Sequence, residues 1–442
     1  MNTMYSKLAA TVVVLWATFS VMYAQDSTQI APLVTVSNPY LFNFSSGSLN
    51  SVFNEQLTPG TNNRLNLDFD YAANSNAAPF QFVAGILFGA PIKQQIIDRT
   101  HNRLKKQLRF EDQMKTGLTY RRYLKKFDGQ LVVGYHHRQF RNLSAGKQAY
   151  ELVFYGNAQF EDKTIDLSNI NVQNFIYNQY SVGIFKEMAY TKYNMEFGVS
   201  GAFIQCANHQ QIYTKQASLY TAPDGEYLDI KYDLTFNTGR EGAVGFYQLN
   251  GAGASADFHL AVKQNGNWRV ALDISDVGYF TFRKAPVNYS AAKEVRFQGI
   301  VIPDLLKFSA QTFDTLNLDS TIRSNLPGKS NNKYSTITPF NAQLVFSKSL
   351  LNQKLVINAG LHYKFIPNYF YAFAKANYFI KPDMVVSGSV GAGTYALCNV
   401  GAEFSKRWKY FDFTIGSSNL LGFIAPPLMP GGALYLRLAS SF

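Results

Sequence analysis

Charged residues are scarce in this 442-residue chain, in which Asp, Glu, Lys and Arg together make up only 16%. Soluble globular proteins carry about 25% charged residues, so this surface has fewer charges than a water-exposed surface usually has. A disordered chain is excluded as well, because Phe, Tyr and Trp together reach 15%. The 41 Lys and Arg residues exceed the 29 Asp and Glu residues, but they are scattered along the chain, which argues against nucleic-acid binding.

Cysteine is also rare, and the two present, Cys206 and Cys398, exclude a disulfide framework and a thiolate metal cluster. None of the six histidines takes part in a metal-ligand spacing such as H-E-x-x-H, so we expect neither a metal nor a cofactor. The nucleophile pattern G-x-S-x-G is missing too. A Ser–His pair from distant strands, as in outer-membrane lipases, stays an open alternative, but the sequence favours a protein that is not an enzyme.

Residues 1–24 have the features of a cleaved secretory signal peptide. Lys7 supplies a positive charge, a mostly apolar run extends from Leu8 to Met22, and Ala24 precedes the predicted cleavage point. This run is shorter than the roughly 20 apolar residues of a membrane-spanning helix, and no later segment approaches that length. We therefore predict an exported protein with a single domain over residues 25–442. An uncleaved N-terminal anchor helix is the alternative.

The last hundred residues alternate between apolar and polar side chains, a period of two that is typical of β-strands. Seven such segments follow one another between residues 340 and 442. In the last of them, the apolar positions are Leu434, Leu436, Leu438 and Phe442. The segments span roughly 8–11 residues, close to the 9–11 that a tilted membrane-spanning strand needs. This length favours strands that cross a bilayer.

Short connections join these predicted strands, so consecutive strands should pair as antiparallel neighbours. Hydrocarbon tolerates such a sheet only when it closes and leaves no unpaired edge. We therefore predict an all-β fold, an antiparallel up-and-down transmembrane β-barrel whose last strand closes the ring. At about 25–30 residues for each strand and its connection, the chain provides about 14 strands, and an even number is expected.

Three other local patterns complete the predicted architecture. Residues 91–108 begin at a proline and carry isoleucines at helical spacing, which predicts a short amphipathic helix, and residues 303–313 are a second helix candidate. In a barrel we expect both to be plugs, lids or parts of loops. The dipeptide Asn265-Gly266 lies between two alternating segments and predicts a tight hairpin turn.

Charged residues on the polar strand faces should point into the lumen, because a charge facing lipid at mid-depth costs about 2–4 kcal/mol. The candidates are Lys354, Lys364, Lys375, Glu403, Asp412 and Arg437. They form either an ion-paired, solvated wall or, in a sharper interpretation, a surface that contacts a solute. Trp408, Tyr410 and Tyr435 are candidates for the aromatic girdles at the membrane surfaces. If the last strand ends in the periplasm, residues 418–432 form an extracellular loop.

Three stretches carry a family resemblance: LYTAPDG at residues 219–225, ALDISDVGYFTF at residues 271–282, and the aromatic-rich residues 367–379. In these the chain resembles a family of exported Bacteroidota β-barrel proteins known as a domain of unknown function. In size it is also similar to long-chain fatty-acid transporter-like barrels. The resemblance implies a barrel over nearly all of the exported chain and assigns no catalytic residues. The ending on Phe442 is similar to the terminal strands that barrel-insertion machinery recognises.

These features predict an outer-membrane β-barrel with a partly occluded lumen that moves or binds a small solute. The alternative is a structural or assembly component of a cell-surface complex, either a type IX-like secretion apparatus or an adhesion complex. Outer-membrane lipid and the barrel-insertion machinery are the expected partners. A nucleic acid and a cofactor are not expected.

Overall fold

The computed structural model describes residue 53 and residues 61–239, 247–264, 267–283, 286–297, 330–396 and 398–442. The predicted signal peptide, the candidate helix at residues 303–313 and the turn residues Asn265 and Gly266 lie outside these ranges. The described strands are β1 (Asn63–Ser75), β2 (Gln107–Leu124), β3 (Gly129–Gly146), β4 (Lys163–Asp166), β5 (Asn171–Ala189), β6 (Asn194–Thr221), β7 (Leu228–Thr238), β8 (Gly251–Gln264), β9 (Trp268–Phe282), β10 (Val287–Phe297), β11 (Tyr334–Ile337), β12 (Asn341–Leu350), β13 (Leu355–Lys364), β14 (Tyr369–Lys381), β15 (Met384–Ala392), β16 (Asn399–Arg407), β17 (Phe411–Asn419) and β18 (Gly431–Ser441). The described α-helices are α1 (Phe80–Phe88), α2 (Gln94–Arg103), α3 (Lys147–Tyr155) and α4 (Leu421–Ile424), and two short 3-10 helices span Ala158–Phe160 and Pro223–Gly225.

Fourteen strands close an antiparallel barrel in the order β1, β2, β3, β5, β6, β8, β9, β12, β13, β14, β15, β16, β17 and β18. The ring closes between β18 and β1, whose register runs from Arg64 opposite Ser441 to Asn74 opposite Gly431. Strands β8 and β9 pair as the hairpin that the Asn-Gly dipeptide predicts. The predicted fold, an up-and-down antiparallel barrel of about 14 strands, is confirmed.

The two ends of the barrel differ in their connections. Asn63 and Phe442 lie at one end, which we call the terminal end, and their backbones exchange hydrogen bonds of 2.9 and 3.0 Å. The turns at this end are short, and Pro382 and Asp383 alone join β14 to β15. The other end, called the loop end, carries the four described α-helices and strands β4, β7, β10 and β11. Short turns at one end and long loops at the other are the pattern of outer-membrane barrels.

Strand β6 has 28 residues and extends beyond the end of the barrel. Its first part pairs with β8, from Asn194 to Cys206, whereas its second part, from Gln210 to Thr221, pairs with β7 beyond the barrel. Strands β4 and β10 extend this second part on either side, because β4 pairs with β6 and β10 pairs with β7. The result is a protruding sheet of β4, β6, β7 and β10 at the loop end.

The outer face of the barrel carries an apolar band. Its exposed members include Leu65, Leu67, Leu118, Val133, Val182, Ile184, Phe197, Leu260, Leu344, Val386, Val400 and Leu434. On its loop-end side the band ends in a row of aromatic residues that stand in register on neighbouring strands, Tyr135, Tyr180 and Phe203. Such a band bordered by aromatic side chains is the surface that a bilayer contacts.

Helices α1, α2 and α3 pack against the outer surface of the barrel near the loop end, not inside it. The contact is a hydrophobic cluster in which Ala73, Leu108 and Phe110 lie on outward positions of β1 and β2. The helix predicted over residues 91–108 is present but shorter, because Leu104 is already extended and Leu108 belongs to β2. In the described part of the chain, no helix has the length and apolarity needed to cross a membrane.

Candidate functional site

The inner face of the barrel is polar and rich in charge. Its buried charged side chains include Arg64, Glu111, Lys115, Arg121, Arg138, Glu196, Asp257, Arg269, Asp273, Asp276, Lys364, Lys375, Glu403 and Arg407. An unpaired charge in such a place costs several kcal/mol, so these groups are expected in ion pairs and hydrogen-bonded networks. The contacts they make therefore reveal how the interior is organised.

Two of the candidate lumen residues, Lys375 and Glu403, form an ion pair within the wall. The Lys375 ammonium lies 2.9 Å from Glu403 Oε1, and the Tyr435 hydroxyl donates a 2.6 Å hydrogen bond to Glu403 Oε2. Arg437 also lies on the inner face, with its Nε 3.9 Å from Asp68 Oδ1. These residues come from β14, β16, β18 and β1, so the contacts run along the wall.

The prediction that Tyr435 belongs to an aromatic girdle at the membrane surface is wrong. It shares its strand face with Arg437 and is buried in the interior, where its hydroxyl bonds to a carboxylate. Trp408 and Tyr410 lie in the turn between β16 and β17 and are exposed at the terminal end. An aromatic ring with a polar tip satisfies either environment, so its position depends on which face of the strand it occupies.

Two further candidates mark the terminal end of the wall. Asp412 accepts hydrogen bonds from Arg64 Nη1 and, at 2.6 Å, from Arg407 Nε, and so joins β17 to β1 and β16. Lys354 lies instead in the turn between β12 and β13 and is exposed. The alternating pattern predicted that Lys354 faces the lumen. This prediction is wrong, because β13 begins only at the next residue, Leu355, and Lys354 is not part of a strand.

Lys364 makes a different kind of contact, because it reaches across the lumen. Its Nζ lies 3.0 Å from Gln113 Oε1 and 3.5 Å from Glu111 Oε2. Lys364 belongs to β13, and β2, which carries both partners, is seven strands away in either direction around the ring. Tyr369, at the start of β14, also donates a hydrogen bond to Glu111. Opposite walls of the barrel therefore meet at this level.

Arg138 makes a second link, from β3 to Asp276 on β9, four strands further around the ring. Asp276 is turned into the interior by a β-bulge: the register shifts after Ala256, so that Asp257 faces both Ser275 and Asp276. The left-handed backbone of Asp276 (φ 66°) is one that aspartate tolerates, and bulges commonly redirect a side chain. We call the linked residues the cross-lumen layer: Glu111, Gln113, Arg138, Asp276, Lys364 and Tyr369.

Sequence reasoning missed Asp276, although a signal exists. The outward apolar positions before the bulge, Leu272 and Ile274, are two residues apart, but the next one, Val277, follows after three. Such a break in period predicts an extra residue in the strand. The partner Arg138 has no local signal, since only the closed ring brings β3 and β9 together.

A largely aromatic cluster fills the interior beside this layer, since Phe140 lies directly opposite Gln113. Its buried members are Phe140, Phe175, Tyr177, Ile204, Cys206, Phe280 and Phe282, with Tyr334 packed against them. Gly251 faces the cluster, and a Cβ there would come within 2.5 Å of the Phe282 ring. Between cluster and layer lies a cavity of about 40 Å³ bordered by Asp70, Lys115 and Arg138, which holds only a few water molecules.

Phe53 occupies the interior on the terminal-end side of the layer. The side chain is 1% exposed, and its ring lies 6.3 Å from Phe185 and 6.0 Å from His259 between centroids. It fits against Gly198, where an added Cβ would approach the ring to 2.9 Å. A residue that precedes the first barrel strand is therefore packed inside the barrel.

A network of ion pairs lies beside Phe53. Glu196 is its centre, with Arg269 Nη2 at 2.7 Å and Lys263 Nζ at 2.8 Å from its carboxylate oxygens. His259 bridges Glu196 and Asp273 at 3.3 and 2.8 Å. These residues come from β6, β8 and β9, so this network, like that of Lys375, runs along the wall.

One histidine on the outer face tests the lipase-like alternative. His137 Nδ1 lies 2.9 Å from Asn178 Oδ1, and its Nε2 lies 3.1 Å from the amide nitrogen of Gln139. An amide cannot serve as the nucleophile that a Ser–His pair requires. In this contact the two amides orient the His137 ring.

The closed ring and its polar inner wall define a β-barrel of the outer-membrane class. The chain belongs to the family of unknown function DUF5723, whose model matches residues 58–418. The predicted resemblance to a barrel family of unknown function is thereby confirmed. The curated proteins include no match to this chain.

Several solved structures are similar to the chain. The P. putida toluene transporter TodX has 9% identity and a TM-score of 0.39, over 87% of this chain and 89% of that chain. The KdgM porin in complex with disordered oligogalacturonate has 8% identity and a TM-score of 0.25, over 76% and 98%. An active-site mutant of outer membrane phospholipase A from Escherichia coli has 11% identity and a TM-score of 0.23, over 92% and 98%. Likeness of this degree transfers no function.

Proposed function

We propose that this protein is an outer-membrane channel or transporter that binds a small solute and passes it through the barrel interior. A barrel of 14 strands encloses a lumen that side chains must fill or that must conduct. The observation that carries the proposal is the cross-lumen layer: the lumen is filled by the aromatic cluster and Phe53 and also by this layer, whose polar side chains can separate and take water as partners.

The proposal includes a membrane position, which the apolar band and the unequal ends of the barrel support. The apolar band faces outer-membrane lipid, the terminal end lies in the periplasm, and the loop end lies outside the cell. Export by the signal peptide and insertion by the barrel machinery stay predictions. The proposal assigns no catalytic chemistry to the chain.

The layer also indicates what a solute would meet. Charged and amide groups of the layer lie next to the rings of Phe140 and Tyr177 around one cavity. A solute with a polar group and an apolar part would find partners for both within a few ångströms. We therefore expect small amphiphilic solutes to be favoured over ions alone.

The experiment compares two buried lysines: Lys364 contacts the opposite wall of the barrel, and Lys375 contacts Glu403 within its own wall. Lys364→Ala removes a contact across the lumen, whereas Lys375→Ala removes a contact along the wall. In liposome swelling and single-channel recordings, we expect Lys364→Ala to raise permeation several-fold over the parent protein and Lys375→Ala to leave it near the parent value. Failure of the parent and both variants to pass or bind any small solute would refute the proposal.

A second candidate function, a component of a cell-surface assembly, is favoured by the protruding sheet. One face of this sheet forms an open groove of about 660 Å³ lined by Asp166, Ser218, Lys231, Asp233 and Glu294. In-cell crosslinking from a photoreactive residue at Lys231 discriminates the two functions. A stoichiometric protein partner would support the assembly role, and its absence would favour transport.

A further inference from the structure

Two apolar loop segments meet on the outer side of the loop end. Helix α1 contacts the β17–β18 loop, because the Phe80 and Phe423 rings lie 5.2 Å apart and the Phe80 N–H donates a 2.7 Å hydrogen bond to the Met429 carbonyl. Gln81 N–H donates to the Pro426 carbonyl at 3.0 Å. The two segments therefore form one unit, which we call the apolar knob (residues 80–88 and 421–428).

The knob leaves large apolar side chains uncovered. The exposed fractions are 53% for Ile86, 42% for Phe423, 69% for Ile424 and 47% for Leu428. The knob also continues the apolar band of the barrel, since Phe80 packs on Gly432 and the next outward residue of β18 is Leu434. Exposed apolar patches that adjoin a lipid-facing surface mark a contact with lipid or with a partner.

A basic segment borders this apolar surface on the side of α2. Residues 93–109 contain six basic residues and one acidic residue, Asp98. Asp98 is engaged by Tyr155 and Gln94, whose side chains donate hydrogen bonds of 2.8 and 2.9 Å to it. The exposed basic side chains on the outer side are Lys93, Arg103, Lys105 and Lys106. A cluster of this kind attracts anionic headgroups.

Two arginines attach the basic segment to the knob. Arg99 and Arg103 donate 2.6 Å hydrogen bonds to the carbonyls of Pro427 and Leu428. Partial burial and the neighbouring Arg99 charge lower the pKa of Arg103. Two like charges are thus held together beside an exposed apolar surface, and an anion placed there would relieve their repulsion.

We propose that the knob and its basic rim bind a phosphorylated, anionic lipid of the outer leaflet. The acyl chains would cover Ile424 and Leu428, and the phosphate would contact Arg103, Lys105 and Lys106. Charge complementarity and continuity with the apolar band select a lipid over a soluble partner. The inference rests on the membrane orientation proposed above, but not on transport of a solute.

Native mass spectrometry with lipid A as the probe and phosphatidylcholine as the reference tests the charged half of the site. Lys105→Gln combined with Lys106→Gln should weaken lipid A retention about fivefold for each charge removed. The control is Lys125→Gln combined with Lys126→Gln, an exposed lysine pair in the β2–β3 turn at the terminal end. Equal losses in both variants, or retention of phosphatidylcholine as strong as that of lipid A, would overturn the proposal. Solute permeation should be unchanged in either variant.

Fluorescence quenching by brominated phosphatidylcholine tests the apolar half. A tryptophan at Ile424→Trp should be quenched in bilayers, whereas one at Lys231→Trp on the protruding sheet should not. If Ile424→Trp is not quenched, the knob is not in lipid and the proposal fails. It fails equally if the purified protein is a dimer that Ile424→Asp dissociates, because the knob would then be covered by a second copy of the chain.

Discussion

Two kinds of polar contact occupy the barrel interior, and they connect different parts of the molecule. Glu196 binds Arg269 and Lys263 from strands that are its neighbours or next neighbours, so this network holds one wall together. Lys364 binds Glu111 and Gln113 from the opposite wall, so the cross-lumen layer holds two walls against each other. Similar chemistry therefore links neighbouring strands in one region and opposite walls in the other.

The largest loss of stability is expected when the ion-pair network around Glu196 is broken. Glu196→Gln should destabilise the barrel by about 3–5 kcal/mol, because the buried Arg269 loses the carboxylate that it contacts and Lys263 keeps only Glu187. Urea unfolding followed by heat-modifiable gel mobility measures this loss, and permeation should stay at the parent value. The control is Glu187→Gln, since Glu187 is more exposed and contacts Lys263 alone among these cations, at 3.0 Å. Higher permeation without loss of stability in Glu196→Gln would remove the distinction between the two regions.

A smaller effect is expected at Tyr435. Tyr435→Phe deletes one hydrogen bond to the Glu403 carboxylate and keeps the ring, so unfolding should become easier by about 1.5–3 kcal/mol. Tyr410→Phe is the matched control, because Tyr410 is exposed in a turn. If both variants unfold at the same urea concentration, the hydroxyl of Tyr435 does not stabilise the wall.

The smallest effect is expected at Lys354, which shares the alternating pattern of Lys364 but lies in a turn. Lys354→Ala should change stability by less than about 0.5 kcal/mol, as for most exposed positions. It should leave permeation unchanged as well, in contrast to Lys364→Ala. A rise in swelling rate for Lys354→Ala would mean that this turn, too, takes part in closure.

The C-terminal half of the barrel could be predicted from the sequence because consecutive strands are also neighbours in space. The alternation of Leu434, Leu436 and Leu438 with Tyr435 and Arg437 specifies the two faces of β18 without reference to any other strand. Length per strand then gives about 14 strands once closure is required. Helix α2 was predicted too long because Leu108 continues the helical spacing, yet it packs outward from β2.

The candidate site could be predicted only in part. Alternation puts Lys375, Glu403 and Arg437 on the polar faces of their strands, but it does not name their partners. Tyr435 was assigned to a girdle because aromatic rings favour membrane surfaces, although its position beside Arg437 in the pattern indicated the interior. The contact of Phe53 with Phe185 and His259 has no sequence signal, since these residues lie on segments far apart in the chain.

The sequence by itself determined which side chains face outward and which face inward, because the period of two is a property of the local backbone. Only the tertiary structure decided which inward side chains meet, such as Lys364 with Glu111 and Arg138 with Asp276. Those pairs depend on how a ring of 14 strands curves and on the single bulge that turns Asp276 inward. Curvature and closure are properties of the whole sheet, so no segment encodes them alone.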